Sequence, residues 1–314
     1  MASLADEVKV PSRFRSPRRL SATAAACALA IFGAASERPA HACHTISDFG
    51  YAWSRPTTMA EVSMEYADFR LGDRRGSYQV VAPSLEWAPH GRLSLALRVP
   101  IAHVTYWGGM PGSLSQPSML QAASGGNASV SGLGDIGVVV KVGLWTHERW
   151  SLSAGVGSEL PTGDVATGIG GGHVMLAPFV ALTLQASPRL HFFGFVTDRV
   201  AISTHGEAAA ADTMPATNGV AAMESGPDGS VLMPHSDHEL AVRVGAVYAL
   251  EHVYLSAGAE QTVVWSGENG GLVLRAEVGA SLRHGLRVAV GYDAPVWGAE
   301  RFTWRGRLGL QWAF

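Results

Sequence analysis

Residues Gly271 to Phe314 alternate apolar and polar almost without a break. Leu272, Leu274, Ala276, Val278, Ala280 and Leu282 form one side of a first run, with Arg275, Glu277, Ser281 and Arg283 between them. After His284-Gly285 the pattern resumes, with Leu286, Val288, Val290 and Tyr292 set against Arg287, Gly291 and Asp293. A last run sets Phe302, Trp304, Leu308, Leu310, Trp312 and Phe314 against Arg301, Thr303, Arg305, Arg307 and Gln311. A period of two puts successive side chains on opposite faces of a strand, so one face meets an apolar medium and the other water. A soluble sheet can do the same. An apolar-face Phe in the final position and aromatics at the strand ends point instead to a closed, antiparallel, up-and-down β-barrel in an outer membrane.

The composition agrees. Charged residues make up 16% of the chain, and 37 glycines in 314 residues is about 12%, against a usual 7%. Beyond the N-terminus no apolar run approaches the length of a membrane-spanning helix. The N-terminus itself reads as an export signal over 1–42. Arg13, Arg15, Arg18 and Arg19 precede an apolar core from Leu20 to Ala35, and Ala40-His41-Ala42 supplies a cleavage site. Removing six basic and three acidic residues from 23 and 26 leaves 17 against 23, a net charge of −6, with no basic footprint for nucleic acid. Cys43 would begin the mature chain, and its surroundings depart from a lipoprotein box. With Cys27 removed, no internal disulfide remains.

Residues 43–56 read as a periplasmic lead-in and 57–314 as the barrel. Strands are expected from Thr57 to Leu71, over the run holding Val81, Pro83, Leu85 and Trp87, and from Arg92 to Trp107. Others run from Gly134 to Trp145, Trp150 to Leu160, His173 to Ala186 and Leu190 to Ser203. Phe192, Phe193 and Phe195 leave the facing of that last strand unassigned. Two more strands flank Glu251-His252, and the closing three are those described first. Gly108–Leu133 and Thr204–Ser236 read as long loops. About twelve strands result, short turns alternating with longer connections, as single-chain outer-membrane barrels show, and both termini fall on the periplasmic side.

Gly132-Leu133-Gly134-Asp135-Ile136-Gly137 matches a dinucleotide fingerprint, but a loop precedes it and the β-branched run Val138-Val139-Val140 follows, so a nucleotide site is rejected. The segments GLGDIGVVVKVGLW (Gly132 to Trp145) and WSLSAGVGSELPTGD (Trp150 to Asp164) carry a different likeness. They resemble the outer-membrane transporter family named for the MetA pathway of phenol degradation. Its paired motif corresponds here to Gly132, Gly134 and Asp135, then Pro161, Thr162, Gly163 and Asp164. The resemblance implies a channel for small, often aromatic or hydrophobic compounds. Asp135 and Asp164 also read simply as anchors of loop backbone.

The polar faces place Glu61, Glu65, Glu86, Asp135, Glu159, Glu239, Glu260, Glu277 and Asp293 in the lumen. Opposite them stand Arg92, Arg98, Lys141, Arg243, Arg275, Arg283, Arg287, Arg301, Arg305 and Arg307. Such balance favours cross-strutting ion pairs over an ion-selective field, in a pore narrower than a 16-stranded porin. The reading is a passive channel for small organic solutes, with no cofactor. Its partners are outer-membrane lipid, the solute, and the barrel-assembly machinery through Phe314. One alternative is copper-like metal binding or traffic through loop 204–238, where His205, Met214, Met223, Met233, His235 and His238 offer soft and imidazole ligands. Another is a barrel that does not conduct. Catalysis is not expected: H-E-x-x-H and G-x-S-x-G are absent, and the sequence pairs His103 with no serine.

Overall fold

A computed structural model of the chain describes residues 56–71, 74–108, 127–204, 232, 238–265, 270–298 and 302–314. The expected signal and nearly all of the lead-in lie outside them, as does most of the longest loop. Fourteen segments form one antiparallel sheet. They are β1 (Met59–Leu71), β2 (Arg74–Trp87), β3 (Leu93–Arg98), β4 (Ile101–Tyr106), β5 (Ala128–Leu133), β6 (Ile136–Thr146) and β7 (Trp150–Leu160). Then come β8 (His173–Gln185), β9 (Leu190–Thr204), β10 (His238–Ala249), β11 (Val253–Val264), β12 (Gly271–Ser281), β13 (Leu286–Gly298) and β14 (Trp304–Ala313). β2 pairs with both β3 and β4, while β3 pairs with β6 and β4 with β5. So β3–β4 and β5–β6 are each one strand with a break, and fourteen segments make twelve strands. β1 pairs with β14 from Met59↔Ala313 to Asp68↔Trp304, which closes the barrel.

The breaks have local causes. Pro100 has no amide hydrogen, and β3 stops at Arg98, two residues before it. Opposite, Gly134-Asp135 inserts an irregularity, with the Gly134 amide bonded to the Pro100 carbonyl at 2.8 Å. Outward positions are odd in β5 and even in β6, so the insertion shifts the parity of the strand. The expected loop at 108–133 is therefore corrected: its last six residues are β5.

Turns at 88–92, 147–149, 186–189, 250–252 and 282–285 occupy one rim, and the longer connections the other. Hydrogen bonds run perpendicular to strands, so one row of partners traces the tilt. From Trp150, beside a turn, the row runs through Leu184, Phe192, Ala246, Ala257, Ala276, Tyr292 and Gly306 to Tyr66, then Gln79, His103 and Ser131. It thus climbs from the turn rim to the loop rim. It returns to its starting strand about 16 residues further along, which for twelve strands means a tilt of about 40° and a backbone radius of about 12 Å.

Exposed Leu, Val and Ile side chains cover the outer wall between two aromatic belts. Trp87, Trp145, Trp150, Trp312 and Phe314 stand at the turn rim, and Trp107, Trp265 and Trp297 at the loop rim. Phe302 departs from expectation. Thr303 to Asp68 bonding precedes β14, and Phe302 turns inward, 8% exposed, under the Arg305 guanidinium.

The facing of β9 is settled by packing. Phe193 and Phe195 point inward and Phe192 outward. The Phe193 ring lies against Gly245 of the next strand, and the Tyr254 ring against Gly279, its cross-strand partner on β12. A Cβ at either glycine would collide with the ring, so the glycines are where aromatic side chains bed against the inner wall. Gly245→Ala is expected to cost about 1–3 kcal/mol, whereas Gly194→Ala, whose Cβ would meet nothing within 4 Å, is expected to leave stability within about 0.5 kcal/mol. Urea unfolding midpoints of the two variants in detergent check the contrast.

Candidate functional site: the barrel interior

Strand register brings opposite charges side by side on the inner wall. Arg275, Asp293 and Arg305 are successive cross-strand partners, as are Arg199 and Glu239, and Arg243 and Glu260. Asp293, fully buried, accepts from Arg305 Nε at 2.9 Å and Nη2 at 2.6 Å, and from Arg307 Nη2 at 2.9 Å. Arg305 also reaches Glu65 at 3.8 Å, and Arg98 meets Glu65 at 3.3 Å. Arg307 continues to Glu277 at 3.8 Å, and Glu277 accepts the Tyr254 hydroxyl at 2.8 Å. Glu260 takes Arg243 at 2.6 Å and Arg275 at 2.7 Å, and Glu239 takes Arg199 at 2.7 Å. Lys141 and Glu86 pair at 2.8 Å with side chains 1% and 2% exposed. Gln311 bonds Glu61 at 3.4 Å.

Burial at this level shows how little free space remains. Between Phe193, Arg243, Ser256, Arg275, Glu277 and Arg307 lies a cavity of about 10 Å³, room for about one water. Guanidinium and aromatic side chains reach into the interior from a wall of about 12 Å radius.

Two apolar clusters flank the charges. One holds Phe179, Phe193, Phe195, Val247 and Tyr254. The other, towards the loop rim, holds Phe69, Tyr78, Val80, Val104, Tyr106, Phe302 and Ile169. Phe69 meets Tyr106 edge-on at 5.7 Å. Ile169 belongs to the β7–β8 loop, yet is only 2% exposed. The motif residues hold that loop inward. Asp135 Oδ1 accepts the Gly163 amide at 2.8 Å and Oδ2 the Gly171 amide at 2.6 Å. Thr162 Oγ1 donates to the Gly134 carbonyl at 2.8 Å and accepts the Ile136 amide at 3.0 Å. The Asp164 carbonyl accepts the Ile169 amide at 3.1 Å, and the Tyr106 hydroxyl donates to the Thr167 carbonyl at 2.7 Å.

Most residues assigned to the lumen thus lie on the inner face: Glu61, Glu65, Glu86, Arg98, Lys141, Glu239, Arg243, Glu260, Arg275, Glu277, Asp293, Arg305 and Arg307 in the network, and Arg287 buried beside it. Glu159 is half-buried on the inner side of β7. Three assignments are corrected. Arg92 is exposed in the β2–β3 turn, because β3 starts one residue later. Arg283 falls in the turn before β13 rather than on a strand. Asp135 sits at the β5–β6 break and is engaged by loop amides, not by the lumen charges. Arg199 was missed, since the three phenylalanines of β9 obscure its alternation; the parity of Thr197 with Phe195 carries the signal.

For the metal alternative, His205, Met233 and His235 lie outside the described residues. His238 faces outward, with Nε2 at 2.9 Å from Asp198 and its ring 5.5 Å from Trp265. Among the described residues no group of three or more His, Cys, Asp or Glu is placed to hold a metal ion. His103 does meet a serine: its Nδ1 lies 2.7 Å from Ser131 Oγ, on the outer wall. The other ring nitrogen reaches only Thr105 Oγ1, at 3.5 Å. Among the described residues no carboxylate hydrogen-bonds the ring, so the pair lacks the orienting third group of a hydrolase.

No family model matches the chain, and no curated protein matches it in sequence. Solved structures do resemble it. An outer membrane channel from Pseudomonas putida F1 superimposes with a TM-score of 0.62 at 13% identity, over 86% of this chain and 100% of that one. The NanC porin gives 0.49 at 8% identity, over 81% and 100%. The beta domain of the Bordetella autotransporter BrkA gives 0.46 at 14% identity, over 82% and 100%. At these identities the likeness is one of fold, and the fold this chain has is a closed twelve-stranded antiparallel barrel.

Proposed function

We propose that the chain is a passive outer-membrane channel for small organic solutes, with the loop rim facing outward and both termini periplasmic. The observation that carries this is the inversion of the wall: apolar and girdled by aromatics outside, charged and hydrogen-bonded inside. Residues 1–42 serve as the export signal, 43–56 as the lead-in, and Phe314 as the residue the assembly machinery engages. The substrate class is aromatic or hydrophobic compounds rather than sugars. Two apolar clusters on the solute path support it, as does the likeness of the Gly132–Asp164 motif pair to the phenol-degradation transporter family. Paired charges between the clusters leave little net field, so size and apolar surface discriminate more than charge does.

Planar-bilayer recordings test the channel: discrete, small conductance steps are expected, and a purified barrel that inserts without conducting would return the non-conducting reading, which the filled interior favours. Proteoliposome swelling tests the substrate class. Phenol is expected to enter faster than arabinose, and equal rates would remove the aromatic preference.

The β7–β8 loop supplies a separate prediction. Asp135→Ala leaves two loop amides without their carboxylate, a loss of about 1.5–3 kcal/mol per charge-assisted bond at most. Ile169 is then held over the loop-ward cluster less firmly, by the Thr162 and Tyr106 bonds without the carboxylate. The variant is expected to show larger conductance steps and faster proteolytic nicking within 161–172 at unchanged barrel stability.

A further inference from the structure

Apart from the Asp198–His238 pair, Gln261 and Ser158, the outward polar side chains of the wall gather in one place. On β1, β2, β4 and β5 the outward positions near the loop rim are Asp68, Arg70, Arg75, Ser77, Gln79, His103, Thr105, Ser129 and Ser131, all exposed or half-exposed. Register gathers them into rows: Arg70↔Arg75, Asp68↔Ser77↔Thr105↔Ser129, and Gln79↔His103↔Ser131. Chain tilt sets their height. Tyr66, Trp304 and Tyr292, with ring centroids 5.3 and 6.4 Å apart, mark the loop-side belt. The hydrogen-bonded row through Tyr292 and Tyr66 climbs further to Gln79, His103 and Ser131. Arg70 stands four residues past Tyr66, about 13 Å along the strand. The polar face therefore begins at the belt and rises above it, at the depth of lipid headgroups.

Its charge is one-sided. The Asp68 carboxylate is occupied, accepting the Trp304 Nε1–H at 2.9 Å and the Tyr66 hydroxyl at 3.2 Å. Arg70 and Arg75 face each other with no carboxylate at ion-pair distance among the described residues. They are also the only described cations on the outward face of any strand, every other strand Arg or Lys with a described side chain pointing inward. Beside them the Trp107 indole is exposed, its backbone amide bonded to the Arg75 carbonyl at 2.8 Å. Ser131, His103, Thr105 and Ser129 form a hydrogen-bonded lattice at 2.7, 3.5 and 3.0 Å. Such a face is unsuited to acyl chains, which satisfy no donors.

We propose that this face docks a lipid A-type glycolipid, a lipid whose headgroup is a phosphorylated amino sugar; the inference rests on the outer-membrane reading above. Arg70 and Arg75 present guanidinium forks to phosphate, the ligand geometry they match best. The hydroxyls, Gln79 and His103 meet sugar hydroxyl and amide groups, and Trp107 offers a flat surface to a sugar ring. The acyl chains of the same molecule lie against the apolar wall below.

The test titrates the full-length barrel in detergent with bisphosphorylated lipid A, with its dephosphorylated form, and with phosphatidylglycerol, counting bound lipid by native mass spectrometry. The phosphorylated form is expected to bind about tenfold tighter than the dephosphorylated one, equivalent to about 1.4 kcal/mol. Arg70→Gln with Arg75→Gln is expected to abolish that preference, and Arg149→Gln with Arg189→Gln, at the turn rim, to preserve it. Where the double variant fails to fold, Arg75→Gln alone is expected to show a partial loss. Equal binding of the two lipid A forms, equal binding of phosphatidylglycerol, or an undiminished preference in the Arg70/Arg75 variants would overturn the proposal. Bilayer conductance of the same samples separates the two readings: lipid A preference without conductance sinks the channel and leaves the docking face standing.

Discussion

Everything in this molecule depends on β1 finding β14. A sheet edge exposes a row of unpaired amides and carbonyls, and in hydrocarbon each costs several kcal/mol. The ten residue pairs between Met59↔Ala313 and Asp68↔Trp304 remove both edges at once. Only after closure does the alternation acquire its meaning, because a closed wall has an inside and an outside. Tyr66, Asp68 and Trp304 lock that seam at its loop end through the Trp304 and Tyr66 bonds to the Asp68 carboxylate.

Closure then dictates the chemistry of the interior. Twelve strands enclose a narrow space in which side chains from neighbouring strands crowd together. Charges placed there lose much of their hydration, and they remain ionised only beside partners. Register does the partnering: Arg275, Asp293 and Arg305 lie on three adjacent strands at one level, and Glu260 sits between Arg243 and Arg275. Removing a single member, such as Lys141 from its pair with Glu86, strands a buried charge, which is the costly change; replacing both is not. Glycines at 245 and 279 solve a packing problem in the same space, admitting aromatic rings close to the wall where a Cβ would block them.

The alternation in β12, β13 and β14 was legible from the sequence, because the period of two survives wherever a strand has one wet face. So were the strand count and most inward charges. Three features were not legible, each for a physical reason. At Pro100 one strand breaks in phase, and at Gly134-Asp135 its partner breaks and shifts parity; a parity shift cannot be told from a loop without knowing the partner strand, and β5 was lost that way. In β9, aromatics occupy both faces, because rings bed on inner glycines as readily as they face lipid. That hid Arg199. Phe302 kept the outward parity of β14 but lies before the strand begins, where parity no longer governs direction, and it turned inward beneath Arg305. The motif pair was recognisable as loop-anchoring chemistry at Asp135. Its consequence, an isoleucine carried into the mouth of the barrel, depended on where the loop folds.

The balance inside the barrel also bears on how it would choose a solute. Eight inward acids face eight inward bases among the described residues: Glu61, Glu65, Glu86, Glu159, Glu239, Glu260, Glu277 and Asp293 against Arg98, Lys141, Arg199, Arg243, Arg275, Arg287, Arg305 and Arg307. A ring of one sign would hold an ion of the other and repel its like. Charges neutralised within about 3 Å of each other present instead a set of fixed dipoles, which fall off steeply and reward close fit over net charge. An ion must shed water to pass such a constriction and gains no compensating field. A small neutral ring sheds little, and it meets apolar surface on both sides of the charged belt, first beside Phe69, Tyr106 and Ile169, then beside Phe179 and Phe195. In the conducting barrel proposed above, the barrier would therefore be lowest for the uncharged solute. The loop that carries Ile169, tethered by one carboxylate to two amides, sits where movement of a single side chain changes the width of that path.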